Sequence, residues 1–395
     1  MASNDKYGFP SAEDTTKLQS LTIDLLRFPL AIMVIFIHMT PYIVNLIDAE
    51  FNLLSGEGFV NVIKILFSYI IPRIAVPTFF FISGFLFFYN FNNWDWSNYK
   101  QKIKKRTKTL FLPYILWNLI PFLIVVATNF ILAVIKKETF SETYSFINEY
   151  SWHIFYDCKD METTCINWLG ENLKEFGPYD FPLWFVRDLI VVSILSPCIY
   201  YVIKKLRLFA LVILFIAYIS RIWTFLPGFS ITSLFFFSVG AYFALNQINI
   251  VTFATKHKNI FIPTNIILLI ITTIYGGVRT VVGQNLIPFF DCSGLFVAFY
   301  IGSLCITKYN MRPNRFLISS CFFIYAFHLV VIPFIDRPLY FLKRTLYGLI
   351  PDDSILGDGF CYIITPFITA GISILIFVIA KKLFPKATLF FSGNK

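Results

Sequence analysis

Ten stretches of about 17–25 mostly apolar residues recur along the chain, at roughly 24–47, 74–91, 109–135, 181–203, 208–225, 231–248, 259–275, 284–306, 316–335 and 358–380. Each is long enough to carry a helix across about 30 Å of hydrocarbon. The runs are continuous rather than alternating, which argues for helices and against barrel strands. Composition agrees: of 395 residues, 57% are hydrophobic and 14% charged, and 48 Phe face only 23 acidic residues. That is more apolar surface than one water-soluble core can hide. Disorder, collagen, a coiled coil and a soluble enzyme are excluded, and the chain reads as an all-α polytopic membrane protein of about ten transmembrane helices. An amphipathic piece at 59–73 ahead of the second run reads as a short interfacial helix.

The net charge of +10 falls in short clusters between the apolar runs rather than on one face, so no nucleic-acid partner is implied. Segments 92–108, 204–207, 249–258, 307–315 and 381–395 carry 18 Lys/Arg in 55 residues. The alternate segments 48–73, 136–180, 226–230, 276–283 and 336–357 carry 10 in 106. The positive-inside rule therefore puts both termini in the cytoplasm. This gives a polar N-terminal segment 1–20, a membrane domain 21–380 and a basic cytoplasmic tail 381–395. Residues 1–20 lack a cleavable-signal pattern, so the first run is expected to stay as an anchor. Seven Cys show no metal-ligand spacing, and no metal site is expected. No internal repeat is apparent.

Segment 136–180 is the longest piece outside the apolar runs, and loops of that length tend to be functional or disordered. It is acidic and lies on the outer side, where it could cover a substrate groove. Cys158 and Cys165 fall within it; a disulfide and two free thiols both remain open.

The first run holds ionisable residues that hydrocarbon penalises. Arg27 and His38 are eleven residues apart, about three helical turns, so they share a face about 16 Å apart along the axis. Asp24 sits one turn before Arg27 and can pair with it. Arg27 is near enough to the inner surface to snorkel, so a lipid-facing and a functional reading are both open. His38 has no such escape. A buried neutral imidazole can take a proton from a hydroxyl as a general base, or it can be a hydrogen-bonded packing residue.

Arg27, ten intervening residues and His38, introduced by Asp24-Leu25-Leu26, resemble the first-helix signature of the acyltransferase-3 family, membrane enzymes that acylate envelope carbohydrates and related molecules. Val76-Pro77-Thr78-Phe79-Phe80-Phe81-Ile82-Ser83-Gly84 is similar to the family's second-helix motif, Pro182-Leu183-Trp184-Phe185-Val186-Arg187-Asp188 to its Trp-Phe segment, and Phe323-Ile324-Tyr325-Ala326-Phe327-His328 to its late Tyr-to-His stretch. The elements keep the family order from residue 21 to about 380. The resemblance implies a protein of the bacterial cytoplasmic membrane that takes an acyl group from cytoplasmic acyl-CoA, a co-substrate rather than a bound cofactor. The group is delivered to an outer acceptor. His38 would activate the acceptor hydroxyl or relay the acyl group, and Arg27 would hold an anionic part of the donor or fix a helix contact.

One departure concerns donor contact. The family's paired arginines before the third helix, near an Arg-x-x-Arg spacing, are matched here by Lys105 and Lys108, with Arg106 out of register. Lysine attracts CoA phosphates as a point charge without the arginine fork. The cluster also suits a topology-setting loop on anionic lipid. On the acceptor side, Arg187 and Asp188 point about 100° apart on a helix and need not pair. Trp184 could stack on a sugar or anchor at the interface. Ser83-Gly84 reads first as a close-packing element, with a cavity-lining role open, and His328 as a second site histidine or a satisfied buried one. Arg221, Arg279, Asp291, Asp336 and Arg337 cluster near outer ends, suited to an anionic glycan or to snorkelling. The reading is a membrane O-acyltransferase moving acetyl, or succinyl, from acyl-CoA to an extracytoplasmic glycan hydroxyl; the rival is a transporter or flippase for a polysaccharide or lipid-linked sugar.

Overall fold

The computed structural model describes residues 12–39, 56–91, 93–136, 139–158, 162–166, 172–221, 226–347 and 355–393. The helices are α1 (Ala12–His38), α2 (Gly56–Lys64), α3 (Ala75–Phe88), α4 (Trp96–Arg106), α5 (Leu112–Lys136), α6 (Ser141–Tyr150), α7 (Trp184–Ile194) and α8 (Ser196–Leu206). They continue as α9 (Leu208–Ser220), α10 (Ile231–Leu245), α11 (Ile250–Lys256), α12 (Lys258–Ile274), α13 (Val281–Thr307), α14 (Arg315–Tyr347), α15 (Ile355–Leu383) and α16 (Pro385–Phe391). One antiparallel hairpin, β1 (Glu162–Ile166) with β2 (Asn172–Phe176), interrupts the helices within the long loop. The protein is a polytopic membrane protein, and among the described residues that hairpin is the one sheet in an otherwise helical chain.

In all ten expected runs the described residues are mainly helical, but they do not all cross alike. Among the described residues, six helical stretches are long and apolar enough to span, and two bent pairs raise the number to eight. In the first pair, α7 meets α8 at 64°. Pro197 at the start of α8 removes a backbone donor and pushes on the preceding turn, which explains the bend. In the second, α10 meets α11 at 99°, with Asn249 capping the new helix by accepting from the Val251 and Thr252 amides at 3.0 Å. The two remaining runs are α9 and α12, of 13 and 17 residues. At 1.5 Å per residue they reach about 20 and 26 Å, short of the hydrocarbon thickness.

Residues 59–73 correct the expectation of an interfacial helix. Phe59–Phe88 is one candidate span, joined by a π turn at Ile65–Ile70 and a 3-10 turn at Ile71–Ile74. Its polar face turns inward: Ser68 donates to the Phe36 carbonyl at 2.9 Å, and its Oγ lies 2.6 Å from Tyr362 Oη. The amphipathic pattern thus marks a helix seated on a polar helix end, not on a headgroup layer. Residues from the expected tail form α16, whose Phe391 carbonyl accepts from Trp117 Nε1 at 3.1 Å.

The tightest helix pair is α3 with α10. A Cβ on Gly84 would lie 2.1 Å from the Phe237 carbonyl oxygen, and one on Gly240 2.1 Å from that of Phe81. The two glycines let the backbones touch reciprocally, and Phe81, Phe85, Phe237 and Phe243 fill the space around the crossing. Apolar side chains of α5, α9 and α12, among them Ile124, Ile131, Ile135, Ile213, Ile216, Ile267 and Ile270, stay exposed and form the lipid-facing surface. Gly84→Ala is expected to force α3 and α10 apart and lower stability by about 1–3 kcal/mol. Thermal unfolding in detergent checks this, and an unchanged midpoint rejects the contact.

Candidate functional site

The site grows from the docking of α1 on α14. Ile32, Ile35, Phe36 and Met39 form one stripe of α1, and Ile324 and Ile332 one stripe of α14, all in a single buried cluster with Tyr362 and Ala370. His328 lies midway between Ile324 and Ile332, four residues from each, and so on the same stripe. Packing the stripes brings the His38 ring to 5.1 Å from the His328 ring, centroid to centroid, at 46°. The Ser68 hydroxyl gives the Phe36 carbonyl, which also accepts from the Met39 amide at 3.2 Å, a second donor and fixes that end of α1 beside His38.

The two histidines differ in setting. His38 is half-buried, whereas His328 is 0% exposed. His328 Nδ1 lies 2.7 Å from the Tyr325 carbonyl. A carbonyl only accepts, so Nδ1 carries the ring proton and Nε2 is left as a bare acceptor. That buried Nε2 has no hydrogen-bond partner among the described residues. The Tyr325 hydroxyl donates to the Pro182 carbonyl, tying α14 to the 3-10 turn Phe181–Leu183. The turn places the Phe181 ring edge-on to His38, centroids 6.0 Å apart.

Two nearby groups, Arg73 and Asp180, escaped the sequence reading as site residues. Arg73, in the 3-10 turn before α3, acts electrostatically on both His38 and Asp291; an arginine inside a 30-residue apolar span was the available signal. Asp180 adjoins Phe181, and its Oδ2 is buried without a hydrogen-bond partner among the described residues. Burial pushes its carboxyl well above the ordinary carboxylate range. Asp291 accepts from the Tyr218 hydroxyl at 2.9 Å inside the bundle.

The other expected site residues separate into distinct settings. Arg27 pairs with Asp24 at 3.4 Å, with side chains 21% and 38% exposed. Arg106 turns inward rather than toward solvent. It donates to Ser83 Oγ at 2.8 Å and to the Ser83 carbonyl at 3.0 Å, and its other terminal nitrogen donates to Ser193 Oγ. The guanidinium carbon also sits 4.8 Å from the Phe87 ring centroid. Ser83 and Arg106, expected in different roles, thus share one slot. Lys105 and Lys108 remain exposed. Lys102, one turn before Arg106, donates to the Phe87 carbonyl and lies 4.6 Å from the Phe91 ring centroid.

Arg187 and Asp188 correct the expectation that they need not pair. Arg187 Nε donates to Asp188 Oδ1 at 3.1 Å, while its Nη1 donates to the carbonyls of Tyr156 and Phe176 at 2.6 and 2.9 Å. Asp188 Oδ2 accepts from the Ser230 amide at 3.2 Å. The pair therefore clasps the long loop to the bundle and α7 to the start of α10. Trp184 is half-buried against Phe80, ring centroids 6.4 Å apart. Arg221 is engaged by Gln284 through its side-chain and main-chain oxygens. The side chains of Arg279, Asp336 and Arg337 lie outside the described residues, as does that of Cys165; Cys158 is buried.

A multi-pass helical bundle, with two imidazoles side by side at the end of α1, defines the class: a polytopic membrane protein. Residues 21–381 match the pattern of an acyltransferase domain, and the chain belongs to the acyltransferase-3 family of membrane proteins. It is similar to the succinoglycan biosynthesis protein ExoH of Rhizobium meliloti (strain 1021), 26% identical over 241 residues. That alignment covers 58% of this chain and 55% of the relative, so the chain spans about half the length of that protein. No solved structure matches.

Replacing Arg187 with Gln removes the charge that holds the Tyr156 and Phe176 carbonyls, bonds worth about 1.5–3 kcal/mol to a charged group. The expected result is faster hydrogen exchange and proteolysis across 151–180 with the rest of the bundle unchanged. Equal protection in the variant rejects the clasp.

Proposed function

We propose that the protein transfers an acyl group from acyl-CoA to a hydroxyl of an extracytoplasmic carbohydrate or lipid-linked glycan. The observation that carries the reading is the half-buried His38 with a second imidazole 5.1 Å behind it, in a chain whose residues 21–381 match an acyltransferase domain. A neutral imidazole there takes the hydroxyl proton as the oxygen attacks the thioester carbonyl. Phe181 beside it helps keep out water, the competing acceptor.

Arg27, about 16 Å along α1 from His38, holds an anionic part of the donor. Exposed Lys105 and Lys108 draw CoA phosphates to the same side. In this reading both termini lie in the cytoplasm and the acceptor arrives beyond the His38 end, near Trp184. The name of the relative supports a carbohydrate acceptor. Acetyl is the first donor group to test and succinyl the second.

Purified protein in liposomes with labelled acetyl-CoA, then succinyl-CoA, tests the proposal. Wild type is expected to hydrolyse the thioester slowly or transfer its label, and His38→Ala to lose this while remaining inserted. Arg27→Ala is expected to raise the donor KM about tenfold, equivalent to about 1.4 kcal/mol, with Arg27→Lys partly restoring it. Consumption of neither thioester by wild type rejects the reading in favour of transport of a lipid-linked sugar.

A further inference from the structure

Resting on that reading, we infer that His328 is a fixed proton acceptor for His38, acting through His38 as a positioning residue and not on substrate. Two imidazoles joined by an N–H···N bond of ~2.9 Å place their centroids about 5 Å apart. The observed separation is 5.1 Å, so a rotation of the His38 ring suffices to make the bond. His328 is prepared for it. Its Nδ1–H is held by a main-chain carbonyl of its own helix, that of Tyr325, which leaves Nε2 bare. Burial at 0% exposure keeps water from that nitrogen, and no described residue bonds it.

The relay fixes the tautomer of His38. With its N–H given to His328 Nε2, the other His38 nitrogen is a lone-pair base facing the half-open side. When an acceptor R–OH meets the acyl thioester, the O–H bond breaks and its proton passes to that His38 nitrogen. The proton between His38 and His328 shifts toward His328 Nε2, so the charge spreads over both rings. The oxygen's electron pair forms the new C–O bond, and the C–S bond breaks with its pair on sulfur. Sulfur then takes a proton back from His38, and His328 returns its own. The products are the ester and a free thiol, with both imidazoles neutral. Among charged groups, Arg73 acts on His38, and Asp180 and Asp188 act on Tyr325.

Asn and Gln separate this role from a packing role. His328→Asn can keep the donation to the Tyr325 carbonyl but has nothing at the Nε2 position. His328→Gln can offer an oxygen there that accepts a hydrogen bond and cannot take the proton. For folded variants with wild-type melting temperatures, the expectation is a kcat about 100-fold lower for Asn, about tenfold lower for Gln, and a donor KM within twofold of wild type for both. A folded Asn variant with wild-type kcat overturns the relay while leaving the acyl-transfer reading intact.

Nitrogen-15 NMR of histidine-labelled wild type in nanodiscs supplies a readout independent of turnover, with only four histidines to assign. A proton on His328 Nδ1 and a His38 proton coupled to His328 Nε2 are expected. A proton resident on His328 Nε2 overturns the relay whether or not the variants fold. Wild type that consumes no thioester defeats the acyl-transfer reading and the relay's chemical role together.

Discussion

Inside a bilayer, helices gain little by hiding apolar side chains from one another, because the lipid tails are as apolar as leucine. What holds them is close contact, and here the closest is the crossing of α3 and α10. Gly84 meets the Phe237 carbonyl and Gly240 meets the Phe81 carbonyl, so neither backbone can shift without opening both contacts. The residue before Gly84 is Ser83, and Phe237 lies under the guanidinium of Arg106 at 5.8 Å. The same joint that fixes two helices therefore shapes the slot that receives a cation from α4.

The second demand of the hydrocarbon is that polar groups find partners within the chain. Asp188 is held by Arg187 and Ser230, Arg106 by two serines and a carbonyl, and Asp291 by Tyr218. Apart from the Arg187–Asp188 bond within α7, these bonds join different helices, so they set orientation as well as satisfying charge. His328 is satisfied on one side only, and by its own helix. Its free side belongs to the α1–α14 contact, where the neighbouring polar group is another imidazole.

Apolar run length made the bundle legible in sequence, because spanning hydrocarbon is a one-dimensional requirement. The runs could not show that α9 stops at Ser220, where Arg221 takes a left-handed φ of 51°. Helical geometry also misread Arg187. Cβ directions place Arg187 and Asp188 on different faces, but a long arginine folds along the helix to reach a buried carboxylate beside it. After α4, Thr107–Phe111 is a π turn. Its wider hydrogen bonding shifts the register between α4 and α5. Arg106, out of register on paper, is the side chain that enters the bundle, while Lys105 and Lys108 stay outside. His38 was legible from its place in an apolar helix. Its pairing with His328 was not, since the two lie 290 residues apart and only the packing of α1 on α14 brings them together.

That packing also bears on how transfer across a bilayer could be made accurate. In the proposed reaction the donor's charged end and its reacting carbonyl must be held at two depths at once. A site assembled from loops would let those depths drift, but Arg27 and His38 share one rigid helix whose length sets their separation. The far end of that helix is held by Ser68 at the Phe36 carbonyl and by the α14 stripe. Alignment of the thioester with His38 is then decided by the backbone rather than by flexible side chains. Effective concentration at a reacting centre depends on that kind of positional certainty. A histidine pair split between two helices gains from the same arrangement, because the ring separation follows from the interhelical packing and needs only a side-chain rotation to become a bond.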